Sequence, residues 1–225
     1  MAFTHIETGI ELKPLSRVTL PTHRVYTSPS GEKYPSVTTV LGSVKNSGLD
    51  AWRKRVGEKA ANGISRQAAN NGEIVHKLCE DYINNDPLWN KKKGVMPIHI
   101  FNFNILKNVL DTRLDNIRHQ EAPLYSDYLK TAGTVDCIAD FDGVLSIIDF
   151  KTSKRIKKRE HITNYFMQEA FYAVAYEELT GVPIRQLVTI ITSVEGSQVV
   201  VEDRNDHIHK FIEVRNAYQM PNITE

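Results

Sequence analysis

Asp136, Asp149 and Lys151 are the residues of this chain whose types and spacing could do chemistry. Asp136 closes the string "GTVD", and twelve residues separate it from Asp149, which opens "DFKTS" after the apolar run Val144 to Ile148. Asp142-Gly143 between two apolar runs signals a two-residue hairpin turn. With that turn Phe141 pairs with Val144, and the same register carried outward sets Asp136 opposite Asp149. Directly opposed Cβ atoms lie roughly 4.5–5.5 Å apart. Lys151 and Thr134 fall on the same face, because side chains alternate along a strand. Two opposed carboxylates repel, and a divalent cation relieves that repulsion; Mg²⁺ takes hard oxygen ligands from one or two carboxylates plus water or phosphate. A lysine beside them orients a water or stabilises charge on a phosphate. This is the inventory for metal-assisted hydrolysis of a phosphodiester. A bare D-x-K is most often a solvated strand end; the matching Asp136 turns the reading toward chemistry.

These three side chains need strands and helices to hold them. The opposite face of the hairpin (Val135, Cys137, Ala139, Phe141, Val144, Ile148, Phe150) reads as core, and the first face carries Ile138, Leu145 and Ile147 near the turn. Upstream, residues 1–35 read as irregular or strand-like, and Ser36 or Thr38 caps a short helix. Residues 49–70 read as two short helices broken near Asn62-Gly63. A further helix starts after Gly72, with Val75, Leu78, Cys79 and Tyr82 at helical spacing. Residues 86–97 read as a loop. Residues 99–117 read as a helix on Phe103, Leu106, Leu110, Leu114 and Ile117. Strands are expected at 121–126, 131–141 and 144–153. A helix from Ile162 is closed by Gly181. A hairpin about Glu195-Gly196 and a last helix over 205–219 complete the chain.

"GTVD", "DFKTS" and a following helix with "QEAFY" resemble the PD-(D/E)XK nuclease superfamily in its RecB-like branch. More narrowly they are similar to the mitochondrial genome maintenance exonucleases and their phage-encoded relatives. The resemblance spans residues 34 to 193, with its specific motifs between 121 and 172. It implies an α/β fold: a restriction-endonuclease-like core, a central mixed sheet flanked by helices, with an additional N-terminal helical region. It also implies that Asp136 and Asp149 are metal ligands, that the Phe150 carbonyl is a further one, and that Lys151 is the catalytic lysine. Gln168 and Tyr172 match a Q-x-x-x-Y helix and lie one turn apart, so both can face the site. The branch carries a histidine in a "G-T-x-x-H" setting; here "GEIVH" supplies His76, with Glu73 in place of the threonine. Glu121 matches an acidic residue that opens the strand before "GTVD", where it would assist a second metal or hold a water. Glu80 reads as surface charge, and His207 and His209 as a surface pair. Some relatives hold an iron–sulfur cluster on four cysteines; with Cys79 and Cys137 alone, no iron–sulfur cluster is expected.

The net charge is +1, so attraction to a polyanion must come from local patches. "KTSKRIKKRE" holds six basic residues and one acid just after the catalytic lysine, and offers Lys154, Arg155 and Lys157. Residues 45–66 add Lys45, Arg53, Lys54, Arg55, Lys59 and Arg66. Trp52 and Tyr34 could stack bases, as in single-strand binders, and a Ser36 or Thr38 hydroxyl at a helix start could hold a phosphate. No run of 18 apolar residues exists, so no membrane partner is expected. The N-terminus lacks a signal or transit pattern.

The expectation is a single domain. Residues 1–70 contact DNA, 71–193 form the catalytic core, and 194–225 supply a hairpin strand and helix. Its activity would be a Mg²⁺- or Mn²⁺-dependent exonuclease acting on DNA, at single-stranded ends, in the cytoplasm (the host's, if phage-encoded). A structure-specific endonuclease or resolvase on the same fold, or a non-catalytic DNA-end-binding module, are the alternatives.

Overall fold

The structure, a computed structural model, describes residues 2–20, 23–44 and 47–221 of the chain. At its centre lies a five-stranded sheet in sequential order, β4 (Leu114–Ser126), β5 (Thr131–Phe141), β6 (Val144–Thr152), β7 (Gln186–Ser193) and β8 (Gly196–Asp203). Neighbours are antiparallel except β6 and β7, which run parallel because helix α5 (Thr163–Thr180) crosses between them. A smaller antiparallel sheet, β1 (Ser16–Thr19), β2 (Arg24–Thr27) and β3 (Lys33–Pro35), precedes it. The mixed sheet flanked by helices is consistent with a restriction-endonuclease-like core. Among the described residues no helix is long and apolar enough to cross a membrane.

Both faces of the central sheet are buried under helices. Helices α3 (Glu58–Ile83) and α4 (Pro97–Arg113) press Val75, Leu78, Phe103 and Leu110 onto Cys137, Phe141, Ile148 and Phe150. On the other side α5, with α1 (Val37–Gly42) and α6 (Asn205–Ala217), presses Phe171, Val40 and Phe211 onto Val135, Ile138 and Ile147. Val135 and Cys137 thus sit in different cores although they are two apart. The β4–β5 ladder skips Glu121 and Asp136 at this point, and Glu121 takes φ +46°. Val144, expected in the core, is 49% exposed at the turn.

The β5–β6 hairpin follows the expected register from Phe141–Val144 to Cys137–Ile148, with Asp142 and Gly143 both at positive φ. The ladder stops there, one pair short of Asp136 and Asp149. The Asp136 carboxylate turns instead onto the backbone, where Oδ2 accepts the Phe150 N–H at 2.8 Å.

Three helix boundaries differ from the sequence reading. The break in residues 49–70 falls at Gly57 (φ +84°), between α2 (Ser47–Val56) and α3, and not at Asn62-Gly63. From Glu58, α3 runs 26 residues straight through Gly72. Its first turns bury only Ala61, so no apolar stripe marks them, and glycine inside a helix costs only about 1 kcal/mol. Helix α4 stops at Arg113; Leu114 and Ile117, three apart like helical positions, are core residues of β4. A bulge between Asp115 and His119, with Asn116 at φ +51°, lets both reach the same core. His207 is buried, not superficial: its Nε2 lies 3.0 Å from Glu202 Oε2 and its ring packs on Phe166. His209 is exposed as expected.

Strand β5 and helix α5 meet closely at Gly133, where an added Cβ would lie 2.8 Å from Tyr172 Cε1 and 3.1 Å from Val37 Cγ1. Gly133→Ala is therefore expected to lower stability by about 1–3 kcal/mol through overpacking, read as a lower urea midpoint at constant m-value. An unchanged midpoint would show that the helix and strand are free to separate.

Candidate active site

Five elements deliver polar side chains to one cleft of about 900 Å³. The buried stripe of α3 (Val75, Leu78, Cys79) fixes that helix on the sheet and leaves His76 at its edge. The break in the β4–β5 ladder releases Glu121 and Asp136 toward the same space. Strand β6 supplies Lys151, and α5 supplies Gln168 and Tyr172.

His76 Nδ1 lies 3.3 Å from Asp136 Oδ2, and the His76 ring meets Phe150 edge-on at 6.3 Å. One ligand atom each from His76, Glu121 and Asp136 fall within 4.8 Å of one another. An imidazole nitrogen and two carboxylates at that spacing fit a divalent cation. Asp149 stands outside this trio. It is 1% exposed, pairs through Oδ2 with the Lys151 ammonium, and accepts Gln168 Nε2 at 3.2 Å on Oδ1. The same Gln168 amide donates to Tyr172 Oη at 3.3 Å, so Gln168 and Tyr172 act as one unit. The Lys151 ammonium also lies 5.2 Å from the centre of the Tyr165 ring. The Phe150 side chain is part of the α3-side core.

Burial and mutual charge set the protonation of these groups. Burial pushes Asp149 up to about 6, against the pull of Lys151. Partial enclosure by the cleft and the nearby Asp136 push Glu121 up to about 7. Asp136 goes the other way: burial would raise it, but His76, Lys151 and the Phe150 N–H together hold it below the ordinary carboxylate range. Burial would likewise lower His76, but Asp136 outweighs it and holds the imidazole above its usual value. Lys151 stays a cation, because Asp149 and Asp136 outweigh the cost of burying it.

One buried carboxyl here carries no sequence motif. Glu169 is fully buried, accepts Thr189 Oγ1 at 2.5 Å, and is held well above the ordinary range by burial and by Asp149. Thr189 pairs with Asp149 across the parallel β6–β7 ladder, so Glu169 stands beside the site. Sequence alone hides it, since it follows Gln168 on a helix whose apolar residues run nearly all round.

The nucleic-acid candidates separate into two groups. Ser36 caps α1 by accepting Thr39 N–H at 3.0 Å, and it lines the cleft together with Thr38. Trp52, Arg53, Arg66, Lys154, Arg155 and Lys157 do not line it. Arg53 is engaged locally, 2.5 Å from both Glu58 and Asn62, bracing α2 against α3. Lys154, Arg155 and Lys157 are exposed on the segment after β6. Lys45 lies outside the described residues. Tyr34 is buried, its hydroxyl donating to Asp127 at 2.5 Å, and so is closed to stacking. Glu80, read as surface charge, pairs with Lys77 at 2.8 Å on the cleft wall.

No family model matches the chain. It is 28% identical over 131 residues to mitochondrial genome maintenance exonuclease 1 of Mus musculus. That match covers 55% of this chain and 38% of the mouse protein, so the chain spans well under half the length of the curated relative. The crystal structure of SSO0001 is similar over 82% of this chain and 85% of that one, at 13% identity and a TM-score of 0.36.

A cation at this trio must displace protons from Glu121 and His76, both of which hold them more tightly than usual. Raised values mean that these groups are protonated at the acid end, so metal affinity falls as pH falls. Mn²⁺ affinity measured by calorimetry is expected to rise by roughly tenfold or more between pH 6 and pH 8, with net proton release. His76→Ala is expected to lower it by roughly 10- to 100-fold. A pH-independent affinity, or one indifferent to His76, would rule out this trio as the ligand set.

Proposed function

We propose that this chain is a divalent-metal-dependent deoxyribonuclease that hydrolyses DNA from free single-stranded ends, using Mg²⁺ or Mn²⁺. The observation that carries the reading is the meeting of His76, Glu121 and Asp136 within 4.8 Å, in the cleft that Lys151 also lines. The similarity to a genome maintenance exonuclease supports nuclease chemistry.

His76, Glu121 and Asp136 would hold the ion, with Asp149 and the Phe150 carbonyl as further oxygen donors at its border. When bound, the ion supplies Lewis-acid polarisation of the scissile phosphate and lowers the pKa of water near it. The remaining chemistry belongs to the chain. Lys151, a cation held by Asp149, is suited to neutralise charge that develops on the phosphate oxygens, not to take a proton. Gln168 fixes Asp149 through Oδ1, and Tyr172 fixes Gln168. Residues 71–193 would thus form the catalytic core. Residues 1–70 would contact the strand through Ser36 and Thr38, with Trp52, Arg53, Arg66, Lys154, Arg155 and Lys157 guiding it from outside the cleft. A reducing cytoplasm suits two buried cysteines that form no disulfide.

End-labelled linear single strands, linear duplexes and closed circles, incubated with Mg²⁺ or Mn²⁺, test the reading. Linear single strands are expected to be degraded while circles survive, and EDTA to stop the reaction. Lys151→Ala is expected to slow digestion by roughly 10²–10³-fold, and Asp149→Ala to abolish it. Equal cutting of circles would favour an endonuclease. Digestion in excess EDTA would refute the metal, and binding without cleavage would leave a DNA-end-binding module.

A further inference from the structure

We propose that Arg17 and Arg24, on the small N-terminal sheet, form a clamp for a backbone phosphate of the DNA strand beside the cleaved bond. The inference rests on the nuclease reading above and adds the residues that would hold the strand in register.

In the β1–β2 ladder Arg17 pairs with Tyr26, and Arg24 precedes Tyr26 by two residues. The three side chains therefore share one face of the small sheet, with the arginines at diagonal positions about 7–8 Å apart. That face is a wall of the cleft: Arg17, Arg24 and Tyr26 line it opposite His76 and Asp136. Tyr26 ties the wall to the catalytic strand, its hydroxyl lying 3.5 Å from Thr134 Oγ1 on β5.

Arg24 is held rigidly by its backbone. Its N–H donates to Thr39 Oγ1 at 3.1 Å, and its carbonyl accepts Ser36 N–H at 2.8 Å. Among the described residues its side chain has no such partner, and Nε is buried without a hydrogen bond. Unmet burial of a cationic N–H costs free energy unless a ligand accepts it. Two neighbouring like charges, with no counter-ion among the described residues, raise that cost further. Of the four acids that line the cleft, Glu80 holds Lys77 and Asp136 holds His76, and among the described residues neither Glu73 nor Glu121 forms an ion pair with either arginine. The lysines on the cleft are engaged, Lys151 with Asp149 and Lys77 with Glu80. Arg17 and Arg24 thus remain for a ligand, and a guanidinium fork matches a phosphate bidentately. Arg24 and Thr38 also line a second cavity of about 450 Å³.

The test is equilibrium binding of a fluorescent 20-nucleotide single strand in EDTA, where no cleavage occurs, across a NaCl series. Each arginine-to-alanine variant is expected to weaken binding roughly tenfold at moderate salt. Each is also expected to reduce the slope of log affinity against log salt by about 0.7, the single-strand value for one lost phosphate contact. Arg24→Lys keeps the charge and the slope but loses the bidentate fit, so it should still weaken binding. Mn²⁺ affinity and thermal midpoint are measured alongside. If Arg24→Ala fails to fold, Arg17→Ala, at an exposed position, carries the test alone. A folded variant with wild-type affinity and slope overturns the clamp while leaving digestion by the wild type intact. Absence of strand binding by the wild type overturns the clamp and the nuclease reading together.

Discussion

One oxygen of Asp136 accepts the Phe150 N–H and lies 3.3 Å from His76 Nδ1. This double use ties β5, β6 and α3 together at a single atom. In an uninterrupted ladder the backbone N–H groups of β6 would pair with the backbone of β5, and the Asp136 carboxylate would lose the Phe150 N–H that helps to hold it ionised. Replacing a ladder bond with a side-chain bond satisfies both groups at once. It also ends the hairpin pairing early, which opens the floor of the cleft where Glu121 and Asp136 emerge.

Around that point the protein concentrates buried polar groups between two apolar cores. Asp149 pairs with Lys151 and Gln168, Gln168 with Tyr172, and Glu169 with Thr189. A buried pair of this kind contributes little net stability, since desolvation offsets much of the attraction, but removing one partner strands a charge. Such an arrangement is tolerated because the flanking cores are well filled by Phe103, Leu106, Leu110, Phe166 and Phe171. Burial, like charges and ion pairs shift the protonation of groups gathered in a cleft. Here burial drives Asp149 up against the pull of Lys151, while His76, Lys151 and the Phe150 N–H together hold Asp136 down.

The small N-terminal sheet converts this floor into a walled cleft. Tyr26 and Tyr34 pack against Ala132 at the start of β5, and Ser36 forms a bridge to the same residue. The wall is therefore attached to the strand that carries Asp136. The upper half of α3 contrasts with this: from Glu58 to Asn70 only Ala61 is buried. Its helicity follows from continuity with the packed lower half, since helix propagation is far easier than nucleation.

Much of the centre was legible from residues alone. The Asp142-Gly143 turn, the register of β5 on β6, the placement of Lys151 near Asp149 and the Q-x-x-x-Y spacing on α5 all depend on local rules: turn chemistry, period-two alternation and the helical repeat. Where those rules end, so did the reading. Leu114 and Ile117 imitate a helical spacing because a bulge resets the strand. The exposed half of α3 carries no apolar period. His207 reads as surface until Glu202 and Phe166 close over it. The cation trio itself, with Glu121 in it and Asp149 beside it, depends on a ladder break opposite a residue at positive φ, and Glu169 on which strand α5 packs against. Sequence by itself determined β5 to β8 and which chemical groups they carry, because those follow from neighbours a few residues apart. Only the tertiary structure decided which carboxylates converge, because that depends on non-local pairing and on where the ladder opens.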